Sequence, residues 1–156
     1  MTLILKLLSI IILTYILVKV VIKLAHKLDL YDVPNERSYH CNVTPSGAGI
    51  GFIMSFFIAI FIFEFQLLSE FWYIFLSIFM VFSVGIYDDR HDVSAKLKFV
   101  VIFIATFIMW LYGFSIDTLG VWYGYNIALT SWIALLFSMF ALAGFTNALN
   151  LIDGID

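Results

Sequence analysis

Four amide and carboxylate side chains recur at three-residue steps near the end of the sequence: Asn147, Asn150, Asp153 and Asp156. On a helix such positions are neighbours, so they form one polar stripe where a long apolar run ends. Ionisable groups at that depth are costly to place and are by default a functional-site hypothesis. A second group, Asp88-Asp89-Arg90-His91-Asp92, closes an earlier apolar run. Its three carboxylates repel one another unless a cation joins them, and hard oxygen ligands facing water and phosphate suit Mg²⁺. A solvated turn of ordinary charges accounts for the same five residues. Asp88 and Asp89 point about 100° apart on a helix, which gives them different tasks rather than one shared ion. Lys98, ten residues beyond Asp88, has the reach to hold a phosphate, whereas Lys96 reads as a snorkelling boundary lysine. Further upstream, Arg37 and His40 are candidate anion-binding groups between the turn-setting Pro34 and Pro45.

The elements that must position these residues are membrane helices. The chain of 156 residues is 63% hydrophobic and 12% charged, with a mean hydropathy of +1.07. Soluble domains are about a quarter charged, so this is an integral membrane protein. Five apolar runs, at about 3–25, 48–67, 71–87, 97–114 and 128–149, approach the length that crosses a bilayer core. Each is expected to be helical, because hydrocarbon demands internally satisfied backbone hydrogen bonds. The fold expected is an all-α polytopic transmembrane helical bundle of about five spans. The first run has no small-residue cleavage site after it and reads as a retained span rather than a secretory signal.

Basic residues orient the bundle. Lys19, Lys23, Lys27 and Arg37 lie at or after the end of the first run, and Arg90, Lys96 and Lys98 lie between the third and fourth. The 66–71 and 115–127 connections hold Glu70 and Asp117 but no Lys or Arg, and Lys6 is the one exception. The positive-inside rule therefore puts the N-terminus outside and the 26–46 and 88–96 loops in the cytoplasm. Five spans then bring Asp153 and Asp156 to that same face. Trp72 and Trp122 fall at outer boundaries as interfacial anchors, while Trp110 and Trp132 lie nearer span interiors as packing residues.

Several function classes drop out. Cys41 is the single cysteine, which excludes an internal disulfide and a Cys-based metal cluster. The scattered Lys and Arg give no nucleic-acid footprint. Gly47-x-Gly49-x-Gly51 lacks the preceding strand of a dinucleotide fingerprint. Close helix packing through Gly47 and Gly51, four residues apart, is the better account. His26 and His91 are too isolated to argue a metal site, and Asp117 reads as a plain loop charge.

Four blocks, taken in order, resemble the polyprenyl-phosphate HexNAc-1-phosphate transferases of glycosyltransferase family 4. They are Asp32-x-Pro34-Asn35-x-Arg37-x-x-His40; Thr44-Pro45 with the glycines beyond; Asp88-Asp89 with Ser94-Ala95-x-x-Lys98; and Asn147-Ala148-x-Asn150-x-x-Asp153-Gly154-x-Asp156. The short spacing from Asp89 to Ser94 is similar to the bacterial undecaprenyl-phosphate N-acetylglucosamine-1-phosphate transferases, while the phospho-MurNAc-pentapeptide translocase branch usually carries an insertion. Ser46 stands where many members carry a basic residue.

The resemblance implies a reaction and a set of roles. A lipid phosphate oxygen attacks the β-phosphorus of a UDP-N-acetylhexosamine, with UDP-GlcNAc as the expected donor, and UMP leaves. The acceptor is undecaprenyl phosphate, and the product starts an O-antigen or teichoic-acid-like polysaccharide. Asp88 would position the lipid phosphate with Asp89 in support, and Lys98 would hold phosphate. Asn150 would be a Mg²⁺ ligand, with Mn²⁺ as an alternative ion. Asp153 would stand beside it on the metal and in catalysis. Asp156 would contact the nucleotide, and Asn147, Arg37 and His40 complete the substrate-binding set. The resemblance places such an enzyme in the bacterial inner membrane with a cytoplasmic active face, and leaves homodimerisation open. Family enzymes have roughly twice as many spans. Residues 1–156 are therefore expected to be the N-terminal part of one truncated transferase domain, inactive alone. A non-enzymatic small membrane protein, a transporter subunit or assembly factor, is the alternative.

Overall fold

Thirty ångströms of hydrocarbon and an unbroken apolar run leave the backbone little choice but helix. The structure is a computed structural model that describes residues 2–28, 30–32, 44–45, 47–91 and 93–153. In chain order it contains α1 (Leu3–Leu28), β1 (Tyr31–Asp32), β2 (Thr44–Pro45), α2 (Ala48–Phe63) and α3 (Phe65–Glu70). It continues with α4 (Trp72–His91), α5 (Ala95–Leu111), β3 (Thr118–Trp122), β4 (Tyr125–Ala128) and α6 (Ser131–Asp153). Among the described residues, three stretches are helical, long and apolar enough to cross a membrane: Leu3–Ala25, Trp72–His91 and Ser131–Leu149; α2 is a shorter apolar helix. The protein is an all-α membrane bundle, to which two short antiparallel ribbons, β1–β2 and β3–β4, are added.

The chain forms two compact units. The first comprises residues 1–72 with 86–92, and the second 73–85 with 93–156. Their cores are built in different ways.

In the first unit α1 and α2 pack as an antiparallel hairpin, and the expected glycine contact is sharper than the sequence suggested. A Cβ on Gly51 would stand 2.7 Å from both Cα and N of Val18, so the α2 backbone lies directly on that of α1. Gly47 does not share that contact. It precedes α2 as its N-cap with φ 89°, a left-handed conformation that glycine adopts without strain. Toward the opposite end, Thr14 and Ser55 hydrogen-bond through their hydroxyls at 2.8 Å. Each also bonds a carbonyl of its own helix, Ile10 and Phe52, so no polar atom is stranded in the apolar interface. Val21, Ala25 and Leu30 form the buried core at the Gly47 end, with Ile50 packed against them.

The apolar run expected at 48–67 breaks at Glu64, whose φ of −140° and ψ of 42° end α2. Glu64 forms an ion pair with Lys6 near the start of α1. That pair accounts for the lone basic residue on the expected outer side. Its charge is matched where it stands, and a paired charge costs far less to hold near lipid than a bare one.

The second unit packs the Tyr73–Gly85 part of α4 and α6 with α5. Ser77 is buried and donates to the carbonyls of Tyr73 at 2.8 Å and Ala105 at 3.2 Å. Tyr73 stacks on Tyr112 with ring centroids 4.2 Å apart. Where α5 ends, the Trp110 indole N–H donates to the Ser131 carbonyl at 3.1 Å, and its ring meets Trp132 at 5.0 Å. These two tryptophans do pack, but at the helix ends rather than inside a span. The connection expected at 115–127 is the β3–β4 ribbon, with Trp122 opposite Tyr125 and Val121 opposite Asn126.

Candidate active site

The Asp88-Asp89 pair stands on helix, not on a loop. The third apolar run was expected to end at 87, but α4 continues through His91, so both aspartates occupy its last turns. Asp88 is half-buried and Asp89 exposed, as their expected separation around the helix requires. Asp88 and Asp89 both take part in further polar contacts. One helical turn links Tyr87 to His91, whose rings stack with centroids 4.4 Å apart and 15° between planes. That contact was missed in the sequence, although four-residue spacing of two rings on a helix is its signal. Asp92 lies outside the described residues.

Helix polarity makes the aspartates chemically informative. The C-terminal end of a helix carries partial negative charge, so a carboxylate there is destabilised unless a cation offsets it. Arg90 and His91 share that last turn. Asp88, Asp89, Arg90 and His91 belong to the first unit.

Lys98 and Asn147 belong to the second unit and share one end of it. Lys98 lies in the first turns of α5, half-buried and engaged in polar contacts. The other end of α5, at Trp110, abuts the start of α6 at Ser131, so the two packed helices run antiparallel. Lys98 is then about 18 Å from the Trp110 end, at 1.5 Å per residue, and Asn147 about 24 Å from Ser131. Asn147 is exposed.

The stripe expected along the last run has its backbone in place. α6 is continuous through Asp153, so Asn147, Asn150 and Asp153 follow one another around one side, rising about 4.5 Å per step. The side chains of Asn150 and Asp153 lie outside the described residues, as do Asp156, Arg37 and His40 altogether. Among the described residues no three His, Cys, Asp or Glu side chains are gathered closely enough to hold a metal.

Known proteins resolve what this combination is. Residues 71–156, from the start of α4 to the end of the stripe, match the model of Glycosyl transferase family 4. The chain belongs to that family. Among individual glycosyl transferase family 4 relatives, it is 32% identical over 157 residues to the undecaprenyl-phosphate alpha-N-acetylglucosaminyl 1-phosphate transferase of Salmonella typhi, covering 96% of this chain and 41% of the relative. It is 31% identical to the enzyme of the same name from Yersinia pestis, over 86% of this chain and 37% of that one. It is 26% identical to a probable undecaprenyl-phosphate N-acetylglucosaminyl 1-phosphate transferase of Bacillus subtilis (strain 168), over 90% of this chain and 39% of the relative. The chain thus spans about two fifths of the length of these relatives. No solved structure matches it. All of the α4, α5 and α6 candidate residues that the sequence singled out fall inside the family match.

Proposed function

We propose that this chain is the N-terminal part of a bacterial inner-membrane enzyme that transfers GlcNAc-1-phosphate from UDP-GlcNAc to undecaprenyl phosphate, releasing UMP. The observation that carries this reading is the family match over 71–156, which includes an aspartate pair placed against the dipole of α4. The product would begin an O-antigen or teichoic-acid-like polymer. The active face would be cytoplasmic. That orientation is supported by Lys19, Lys23, Lys27, Arg37, Arg90, Lys96 and Lys98, which fall on one side of the apolar runs while Lys6 alone falls on the other.

In the reaction a lipid phosphate oxygen bonds to the β-phosphorus of the nucleotide sugar as the bond to the UMP phosphate oxygen breaks. Such a transfer needs chiefly positioning and charge neutralisation. A phosphomonoester has a second pKa of about 6 and is largely dianionic near neutrality. Asp88 therefore orients the acceptor rather than deprotonating it, with Asp89 in support. Lys98 holds a phosphate oxygen as a point charge. Asp156 contacts the nucleotide, and Asn147, Arg37 and His40 line the substrate. The donors on α6 are an amide and a carboxylate oxygen with no thiolate among them, a set that fits Mg²⁺, and Mn²⁺ as well. Asn150 and Asp153 would hold the ion, which supplies neutralisation of the diphosphate.

The test is a chimera in which residues 1–156 replace the matching segment of the Salmonella typhi relative. UMP release from UDP-GlcNAc is measured in membranes supplied with undecaprenyl phosphate. The chimera is expected to turn over, its Asp88→Asn and Asn150→Ala variants to lose nearly all activity, and the 156-residue chain alone to have none. Full turnover by the Asp88→Asn chimera refutes the assignment.

A further inference from the structure

The β3–β4 ribbon carries an exposed apolar surface that the transferase chemistry does not use. From Thr118 to Thr130 there is no ionisable acid or base other than the tyrosines Tyr123 and Tyr125. Val121 is 70% exposed, Trp122 62%, Tyr123 98% and Tyr125 78%. An isolated two-stranded ribbon is at best marginal in water, and a contiguous apolar patch on its surface marks a contact.

Three features say what it touches. First, the base is clamped to the helices. The Ile116 N–H donates to the Ser138 hydroxyl on α6 at 2.8 Å, and the Leu129 N–H donates to the Asp117 carbonyl at 2.7 Å. Five strand residues at about 3.3 Å each keep the tip within roughly 17 Å of that base. The base itself leads into α6, which is long and apolar enough to cross the bilayer. Second, Trp122 and Tyr125 are cross-strand partners, and the Trp122 indole N–H is already satisfied by the Leu119 carbonyl at 3.0 Å. The ring can therefore enter an apolar layer without stranding its donor, while the tyrosine hydroxyls stay among polar groups. Third, the turn is Tyr123-Gly124 with φ of 50° and 84°. Two positive φ angles favour Asn-Gly or Gly-Gly, so a tyrosine there is held at a cost in strain. A ring kept at that cost at the outermost point has a use.

We propose that the β3–β4 tip is a membrane-interface anchor, with Trp122, Tyr123 and Tyr125 seated at the headgroup–acyl boundary of the bilayer that α6 enters. The full 156-residue chain is reconstituted in phosphatidylcholine vesicles with Trp72, Trp110 and Trp132 replaced by phenylalanine, leaving Trp122 to report. Phosphatidylcholine brominated high on its acyl chains is expected to cut emission roughly twofold, as befits a ring at headgroup level, while aqueous acrylamide quenches weakly. Strong acrylamide quenching with no bromine effect places the tip in water and overturns the proposal. Protection from both quenchers places it under protein, a second copy included, and overturns it equally. Should the triple replacement fail to fold by circular dichroism, Tyr123→Cys in a Cys41→Ser chain carries a bimane probe through the same two quenchers. The same three outcomes then decide.

Discussion

Replacing Gly51 by alanine should prise α1 and α2 apart, and the cost can be worked from the contact. The new Cβ would meet Val18 Cα and N at 2.7 Å and Leu17 C at 3.0 Å, all backbone atoms that cannot rotate away. Restoring an ordinary separation of about 3.6 Å requires the helices to part by roughly 1 Å, a gap that forfeits a quarter to a half of each dispersion contact. The Thr14–Ser55 bond, 2.8 Å long, would stretch to about 3.8 Å and be lost. Inside a membrane such a bond is worth about 0.6 kcal/mol, and both hydroxyls keep their own-helix carbonyls. Overpacking adds about 1–3 kcal/mol. Against this, alanine in place of glycine gains about 1 kcal/mol of helix propensity. Gly49→Ala supplies the control, because nothing lies within 4 Å of its Cβ, and it keeps the propensity gain alone. The two variants should therefore differ by about 3 kcal/mol, with Gly51→Ala the weaker. Reversible unfolding of the 156-residue chain in mixed detergent micelles measures both. Equal stabilities would refute a backbone-to-backbone contact at Gly51.

In the chimera, Asp88→Asn and Asn150→Ala should each lower the rate of UMP release by about a hundredfold or more, the scale on which one preorganised electrostatic partner acts. Chelation should stop the unmodified chimera, Mg²⁺ should restore it and Mn²⁺ should substitute; turnover surviving chelation would exclude a metal role for Asn150 and Asp153. A double-mutant cycle with Lys6→Met and Glu64→Gln should return a coupling of about 0.5–1 kcal/mol, modest because the two side chains are 30% and 44% exposed. A coupling indistinguishable from zero would mean that the pair does not tie the start of α1 to the end of α2.

The helices were legible because lipid removes the competition. A run such as Leu3–Val21 has only one way to satisfy its backbone, and the five apolar runs foreshadow α1, α2, α4, α5 and α6, of which α1, α4 and α6 hold stretches long and apolar enough to cross. What escaped were features set by contacts between runs. Gly47 and Gly51 look equivalent at four-residue spacing, yet one caps α2 and the other touches Val18, and only the crossing of α1 distinguishes them. Glu64 is the one charged residue of its run, and its partner Lys6 is 58 residues away. The β3–β4 ribbon escaped as well, since Tyr123-Gly124 is not among the dipeptides that favour a two-residue hairpin turn. A thirteen-residue connection between spans reads as a loop until its two halves pair. The candidate chemistry was legible for the opposite reason: oxygen donors at the ends of apolar helices have few structural explanations.

That last point can be pressed, because charges at these helix ends oppose the helix dipoles. Asp88 and Asp89 lie in the last turns of α4, where the dipole is negative and Arg90 and His91 are the complementary basic residues. Lys96 and Lys98 open α5, where it is positive, and no acid accompanies them in the first turn. Helix stability alone would favour the opposite signs, by about 0.3–1 kcal/mol at each exposed site. The positive-inside rule explains the two lysines, since a cytoplasmic helix end gathers cations whatever its polarity. It says nothing for the carboxylates. A stability cost retained at a site is the usual mark of function.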